Sequence, residues 1–159
     1  MRKPFCSQCP DSGPGGSGCQ GAACRWAEWT DDGSVLVDDG HFAFGGTGDG
    51  CPALVRAANG RYIPAWLKCC ARNRPGPFRF EQTENCFRYE CEVLRALAGS
   101  PFVPRCLVPV RIDAARARAS VAAAGPGALS RRTWAASYGD TTAVWYAMTR
   151  APGDRKSVV

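Results

Sequence analysis

The dipeptide Asn59-Gly60 lies between two apolar runs, in PALVRAANGRYIPAWLKCCAR, and it constrains the backbone more tightly than any other stretch of the chain. Glycine reaches positive φ without steric cost and asparagine tolerates it, so the pair suits a two-residue turn with positive φ at both central positions. Reversal there lays the flanking runs side by side as antiparallel strands. Pro64 has no amide hydrogen to give, which makes the first half of the second run an edge or an irregular approach and leaves AWLKCC as its regular part.

Upstream, RWAEWTDDGSVLVDDGHFAF carries turn signals at Asp32-Gly33 and Asp39-Gly40 around a short strand with Val35 and Val37. A glycine cluster in HFAFGGTGDGCPALV then joins two further strands. Downstream, Phe87, Cys91, Leu94 and Ala98 recur at three- and four-residue intervals and predict a helix, with Thr83 as N-cap, Glu84 in the first turn and Gly99 as a left-handed C-terminal cap. PFVPRCLVPVRI resumes extended structure, interrupted by Pro101, Pro104 and Pro109.

These elements predict an α+β fold: an antiparallel sheet with one packed helix and disordered ends. Residues 1–25, rich in glycine and cysteine, read as a flexible leader, because such a composition buries too little apolar surface to offset the entropy of ordering it. Residues 26–112 read as the folded lobe. Residues 113–159 read as a low-complexity or truncated tail, alanine and arginine favouring a helix over 113–124. The start MRKPFCSQCP lacks the apolar core of a secretory signal, so the 10 cysteines are expected to be reduced and the compartment cytoplasmic or nuclear. No stretch approaches the roughly 18 apolar residues of a membrane-spanning helix, so no membrane partner is expected. A net charge of +6 favours anionic partners.

The order of glycine-rich hairpin, strand with a lysine, helix with glutamates and further strand is that of the small lobe of a protein-kinase-like fold. There a loop covers nucleotide phosphates, a strand cation neutralises them, and a helix glutamate holds the cation. Gly46 and Gly48 would let backbone approach phosphate oxygens, Lys68 would be the cation, and Glu90 is the preferred partner over Glu92 because it falls nearer the Phe87 and Leu94 stripe. Protein kinases proper have a third loop glycine and a shorter interval to the lysine.

The segments FAFGGTGDGCPALVRAANGRYIPAWLKCCAR and CEVLRALAGSPFVPRCLVPVRI resemble the N-terminal lobe of the inositol-pentakisphosphate 2-kinase family over roughly residues 41–112. By that resemblance Phe42 and Phe44 stand at the family's aromatic positions, Gly46 and Gly48 at its loop glycines, and Lys68 where it carries a nucleotide-contacting arginine. Thr47 replaces the loop glutamate, Asp49-Gly50 lengthens the loop, and Ala53 falls where an asparagine is usual. The resemblance implies ATP and magnesium as cofactors, nucleotide binding by Gly46, Thr47, Gly48 and Lys68, and phosphate transfer to the 2-hydroxyl of inositol pentakisphosphate. The family's large-lobe segments have no counterpart, so the chain is expected to be incomplete and inactive by itself; it is also expected to be a monomer.

Two other classes compete. Cys6, Cys9, Cys19 and Cys24 have spacings compatible with a four-thiolate zinc site, whereas Cys69 and Cys70, adjacent on a strand, face opposite sides. Arginines at 111, 116, 118, 131 and 132 suit nucleic acid, but no interleaved aromatic platform accompanies them, which disfavours that partner. His41, the single histidine, reads as a turn residue.

Overall fold

The computed structural model describes residues 26–38, 43–44, 48–73, 79–114 and 142–150. Along them run β1 (Trp26–Glu28), β2 (Val35–Asp38), β3 (Ala43–Phe44), β4 (Asp49–Arg56), β5 (Tyr62–Ala71), α1 (Phe80–Ala96), β6 (Cys106–Ala114) and β7 (Thr142–Thr149). The strands make one 7-stranded sheet in the order β1-β2-β4-β5-β7-β6, with β3 paired to β4 off that path. All pairings are antiparallel, and α1 packs on one face, so the architecture is α+β with one helix among the described residues.

The β4–β5 reversal occurs where Asn59-Gly60 predicts it, with different geometry. Gly60 takes φ +82, but no described non-glycine residue has positive φ, so Asn59 does not share the left-handed region. Ala57 N donates to Arg61 O at 2.7 Å and Gly60 N to Ala57 O at 2.9 Å. The loop is thus one residue longer than a two-residue turn, a tight turn closed by a left-handed glycine. Asn59 contributes its carboxamide instead, Oδ1 accepting from Arg61 N at 3.0 Å. Pro64 is accommodated because Tyr62–Pro64 pair only with β4, while pairing with β7 begins at Ala65.

Asp49 and Gly50 do not lengthen the glycine loop; they open β4, paired with Phe44 and Ala43 on one side and with Cys69 and Lys68 on the other. The helix begins a turn before Thr83, with Arg79 as N-cap, because the Gln82 side chain accepts from Arg79 N at 2.8 Å. Thr83 is instead buried within the helix, its hydroxyl donating to Arg79 O at 3.4 Å, and Gly99 has no positive φ and caps nothing.

Asp113 and Ala114 complete β6 rather than start a helix, and residues 142–149 form β7, inserted between β5 and β6. The folded unit therefore extends past residue 112. Ala143 through Ala147 are all buried, and a strand covered on both faces shows no alternation of apolar and polar residues to betray it. The leader 1–25, the Asp39-Gly40 turn, His41, Phe42 and residues 115–141 lie outside the described residues.

Each face of the sheet has its own core. One gathers Trp29, Val35, Val37, Leu67 and Trp145 with small residues such as Ala53, Ala65, Cys69, Ala143 and Ala147. Trp29 meets Trp145 edge to face at 6.0 Å between ring centroids. Trp29 directly follows β1, which is four strand spacings from β7, about 19 Å on a flat sheet. The sheet must curl to bring the indoles together, and the small side chains occupy its concave side. On the other face Phe80, Phe87 and Cys91 of α1 pack against Cys70, Val144 and Tyr146.

Replacing Gly60 by alanine is expected to cost about 1–2 kcal/mol in urea denaturation, since the new Cβ meets nothing within 4 Å and the whole penalty is left-handed backbone strain. Gly99→Ala, also in open space but without positive φ, is the control and should move the midpoint little.

Candidate functional site

Lys68 lies in the middle of the sheet, paired with Gly50 on β4 and with Tyr146 on β7. Directly paired residues of neighbouring strands point to the same face, so Lys68 and Tyr146 emerge together beneath α1. Glu90 follows Phe87 by one helical turn, and the burial of Phe87 and Cys91 against the sheet brings Glu90 over the lysine. Lys68 Nζ lies 2.7 Å from Glu90 Oε2, with the two side chains 28% and 36% exposed.

Tyr146 completes the cluster. Its hydroxyl donates to the same Glu90 Oε2 that receives the lysine. Burial first, and then the hydrogen bond to Glu90 and its negative charge, push the phenol pKa up, so the ring stays neutral and remains a donor. The Lys68 ammonium stands 5.7 Å from the centroid of Phe87 and 5.9 Å from that of Tyr146, and these two rings meet at 5.3 Å. A carboxylate and two aromatic faces therefore fix a side chain that otherwise samples many rotamers.

Of the loop residues proposed for phosphate, Gly46 and Thr47 lie outside the described residues, and Gly48 lies inside. A Cβ at Gly48 would stand 2.9 Å from Phe87 Cζ and 3.0 Å from Cys69 O. Helix packing alone thus requires glycine at 48, whatever the loop holds. Gly50 is explained in the same way, its missing Cβ leaving room for the Trp66 indole at 2.6–2.9 Å. Gly48 and Lys68 nevertheless converge, because both abut Phe87 at one end of the β4–β5 ladder.

A concavity of about 320 Å³ opens between the segment after β1 and the edge strand β6, lined by Trp29, Thr30, Asp31, Asp32, Arg111, Asp113 and Ala114. Asp32, Arg111 and Asp113 each have a partner in the surrounding structure. Asp113 accepts from Trp145 Nε1 at 2.7 Å and pairs with Arg111 at 3.3 Å. Asp32 accepts from Ser34 N at 2.9 Å, and hydrogen bonds from Ser34 lower its pKa to about 2. The arrangement ties the turn together and leaves it no evident chemistry.

Cys6, Cys9, Cys19 and Cys24 lie outside the described residues, as do Arg116, Arg118, Arg131 and Arg132 of the basic set. Cys69 and Cys70 fall in the cores of opposite faces. Among the described residues no three His, Cys, Asp or Glu side chains are grouped to hold a metal, and no helix is long and apolar enough to cross a membrane. Tyr146 is the site residue that sequence reasoning missed; the apolar run TAVWYAMT was the available signal. No protein-family model, curated protein or solved structure matches this chain.

Gly48→Ala should destabilise the protein by about 1–3 kcal/mol without any ligand present, because the Cys69 carbonyl belongs to a paired strand and cannot withdraw. Chemical denaturation reads this directly. For Tyr146, the raised folded pKa means its contribution is complete below the ordinary tyrosine value of about 10 and is lost as pH rises from there toward the folded value. Stability measured between about pH 9 and 11 should therefore fall less steeply in Tyr146→Phe than in the parent.

Proposed function

We propose that residues 26–150 form the nucleotide-binding lobe of a kinase-like protein, in which Gly46, Thr47 and Gly48 offer backbone N–H groups to the phosphates of ATP and Lys68 neutralises their charge. The reaction served is transfer of a phosphoryl group to the 2-hydroxyl of inositol pentakisphosphate, giving the hexakisphosphate. The observation carrying this reading is the Lys68–Glu90 pair at 2.7 Å. A strand lysine held by a glutamate of the following helix, at the end of a glycine-rich hairpin, is the arrangement by which kinases position the cation over nucleotide phosphates.

Physical chemistry supports the role. A lysine fixed before the ligand arrives has little rotamer freedom left to lose, so its contact with phosphate is less costly than that of a free surface lysine. An ammonium has three donors, and among the described residues Glu90 Oε2 alone accepts a hydrogen bond from Lys68. Because Glu90 shares its charge, Lys68 neutralises only part of a triphosphate. Magnesium bound with the phosphates would supply the balance. The +6 net charge of the whole chain attracts a polyanionic acceptor.

Titration of the 159-residue chain with magnesium ATP should give saturable binding that weakens at least tenfold, about 1.4 kcal/mol, in Lys68→Met, and less in Glu90→Gln, with unchanged circular dichroism. Equal binding by parent and Lys68→Met, or none at millimolar nucleotide, would refute the proposal. With inositol pentakisphosphate added, the chain by itself is expected to yield no hexakisphosphate, since no residue in it is assigned as the base.

A further inference from the structure

We propose that Cys91 and Cys106 form a peroxide-oxidisable thiol pair that, once oxidised, covalently ties the helix to the edge of the sheet. Cys91 lies on the buried face of α1 and Cys106 is the first residue of β6, the strand at the sheet's edge. Their sulfurs are 3.8 Å apart, the Cys106 thiol donating to Cys91. A disulfide bond is about 2 Å long, so closure asks each sulfur to move by roughly 1 Å. The register of β6 already shifts between Val108 and Arg111, around Pro109, which leaves its pairing less rigid than that of an interior strand.

The two thiols differ in access, and that difference assigns the order of events. Cys91 is 4% exposed, whereas Cys106 is half-buried. Burial and the neighbouring Cys106 push the Cys91 thiol up to about 12, so it stays protonated and is not the first nucleophile. Cys106 gives up its proton as its sulfur attacks one oxygen of hydrogen peroxide; the O–O bond breaks, and the departing hydroxide takes up a proton to leave as water. The product is a sulfenic acid at Cys106. The Cys91 sulfur then attacks that sulfur, the S–O bond breaks, and the departing hydroxyl leaves with the Cys91 proton as water. Two thiols and one peroxide give one disulfide and two waters, and a dithiol reductant reverses the change.

Closure would fasten the helical turn that carries Glu90, the residue before Cys91, to β6. The proposal stands on the thiol geometry and does not depend on the phosphate-binding reading. Cys86, exposed on the same helix, serves as an internal comparison.

Trypsin separates the three thiols. Cleavage after Arg79 and Arg88 isolates Cys86, after Arg88 and Arg95 Cys91, and after Arg105 and Arg111 Cys106. The folded chain is treated with hydrogen peroxide, its remaining thiols are alkylated, and it is mapped by mass spectrometry without reduction. The expected product is peptide 89–95 joined to peptide 106–111, two hydrogens lighter than their sum, and restored to separate peptides by dithiothreitol. Cys106→Ser should abolish the linked species, and Cys91→Ser should leave a sulfenic acid at Cys106 that dimedone captures. Full alkylation of both Cys91 and Cys106 after Cys86 has been oxidised would overturn the proposal, as would preferential linkage of Cys106 to any other cysteine.

Discussion

Phe87 presses one ring against three parts of the sheet, and the arrangement of the lobe follows from that contact. The ring is fully buried, meets Tyr146 edge to face, stands beside the Lys68 ammonium and fills the space that a side chain at residue 48 would need. Because a helix has a fixed rise and rotation per residue, seating Phe87 also fixes where Glu90 and Cys91 fall. Glu90 then reaches Lys68 and Tyr146, and Cys91 reaches Cys106. Both the charged cluster and the thiol pair are consequences of one aromatic contact.

The sheet makes that contact possible by solving a different problem on its other side. Curling through several strands brings Trp29 to Trp145, and a concave surface has less room per residue than a flat one. Alanine and cysteine make up much of that face, around the two indoles. With the concave face filled, the convex face is free to carry α1. The alternation of β5 divides its residues between these two tasks, Ala65, Leu67, Cys69 and Ala71 toward the indoles and Lys68 and Cys70 toward the helix.

The energetics of the charged cluster favour position over stability. Lys68 and Glu90 are partly exposed, so water still screens them, and pairs of this kind contribute modestly to folding. What the cluster does confer is a defined ammonium position, held electrostatically by Glu90 and set beside two aromatic rings. The neutral Tyr146 hydroxyl contributes a hydrogen bond to Glu90 without adding charge.

Much of the fold was legible in sequence because it depends on local rules. The reversal at Asn59-Gly60, the strand after Asp32-Gly33, the three-and-four spacing of Phe87, Cys91 and Leu94, and the limited pairing at Pro64 each follow from the backbone preferences of a few adjacent residues. Glu90 could be named as the partner of Lys68 because helical periodicity placed it beside the buried stripe. The details that failed were those with several local solutions: a two-residue or a three-residue loop at Gly60, Thr83 or Arg79 as the helix start.

What only the tertiary structure decided was long-range. That 142–149 is an interior strand depends on β5 and β6 being there to flank it, and that Tyr146 meets Glu90 depends on residues 56 positions apart in the chain. Gly48 looked like a residue kept small for a ligand, and the packed helix gives it a second reason to be small. The sequence by itself determined the local conformations, since those are governed by neighbouring residues. The tertiary structure decided which distant side chains meet, since a strand's partners and a glycine's neighbours are set by the packing of the whole sheet and helix.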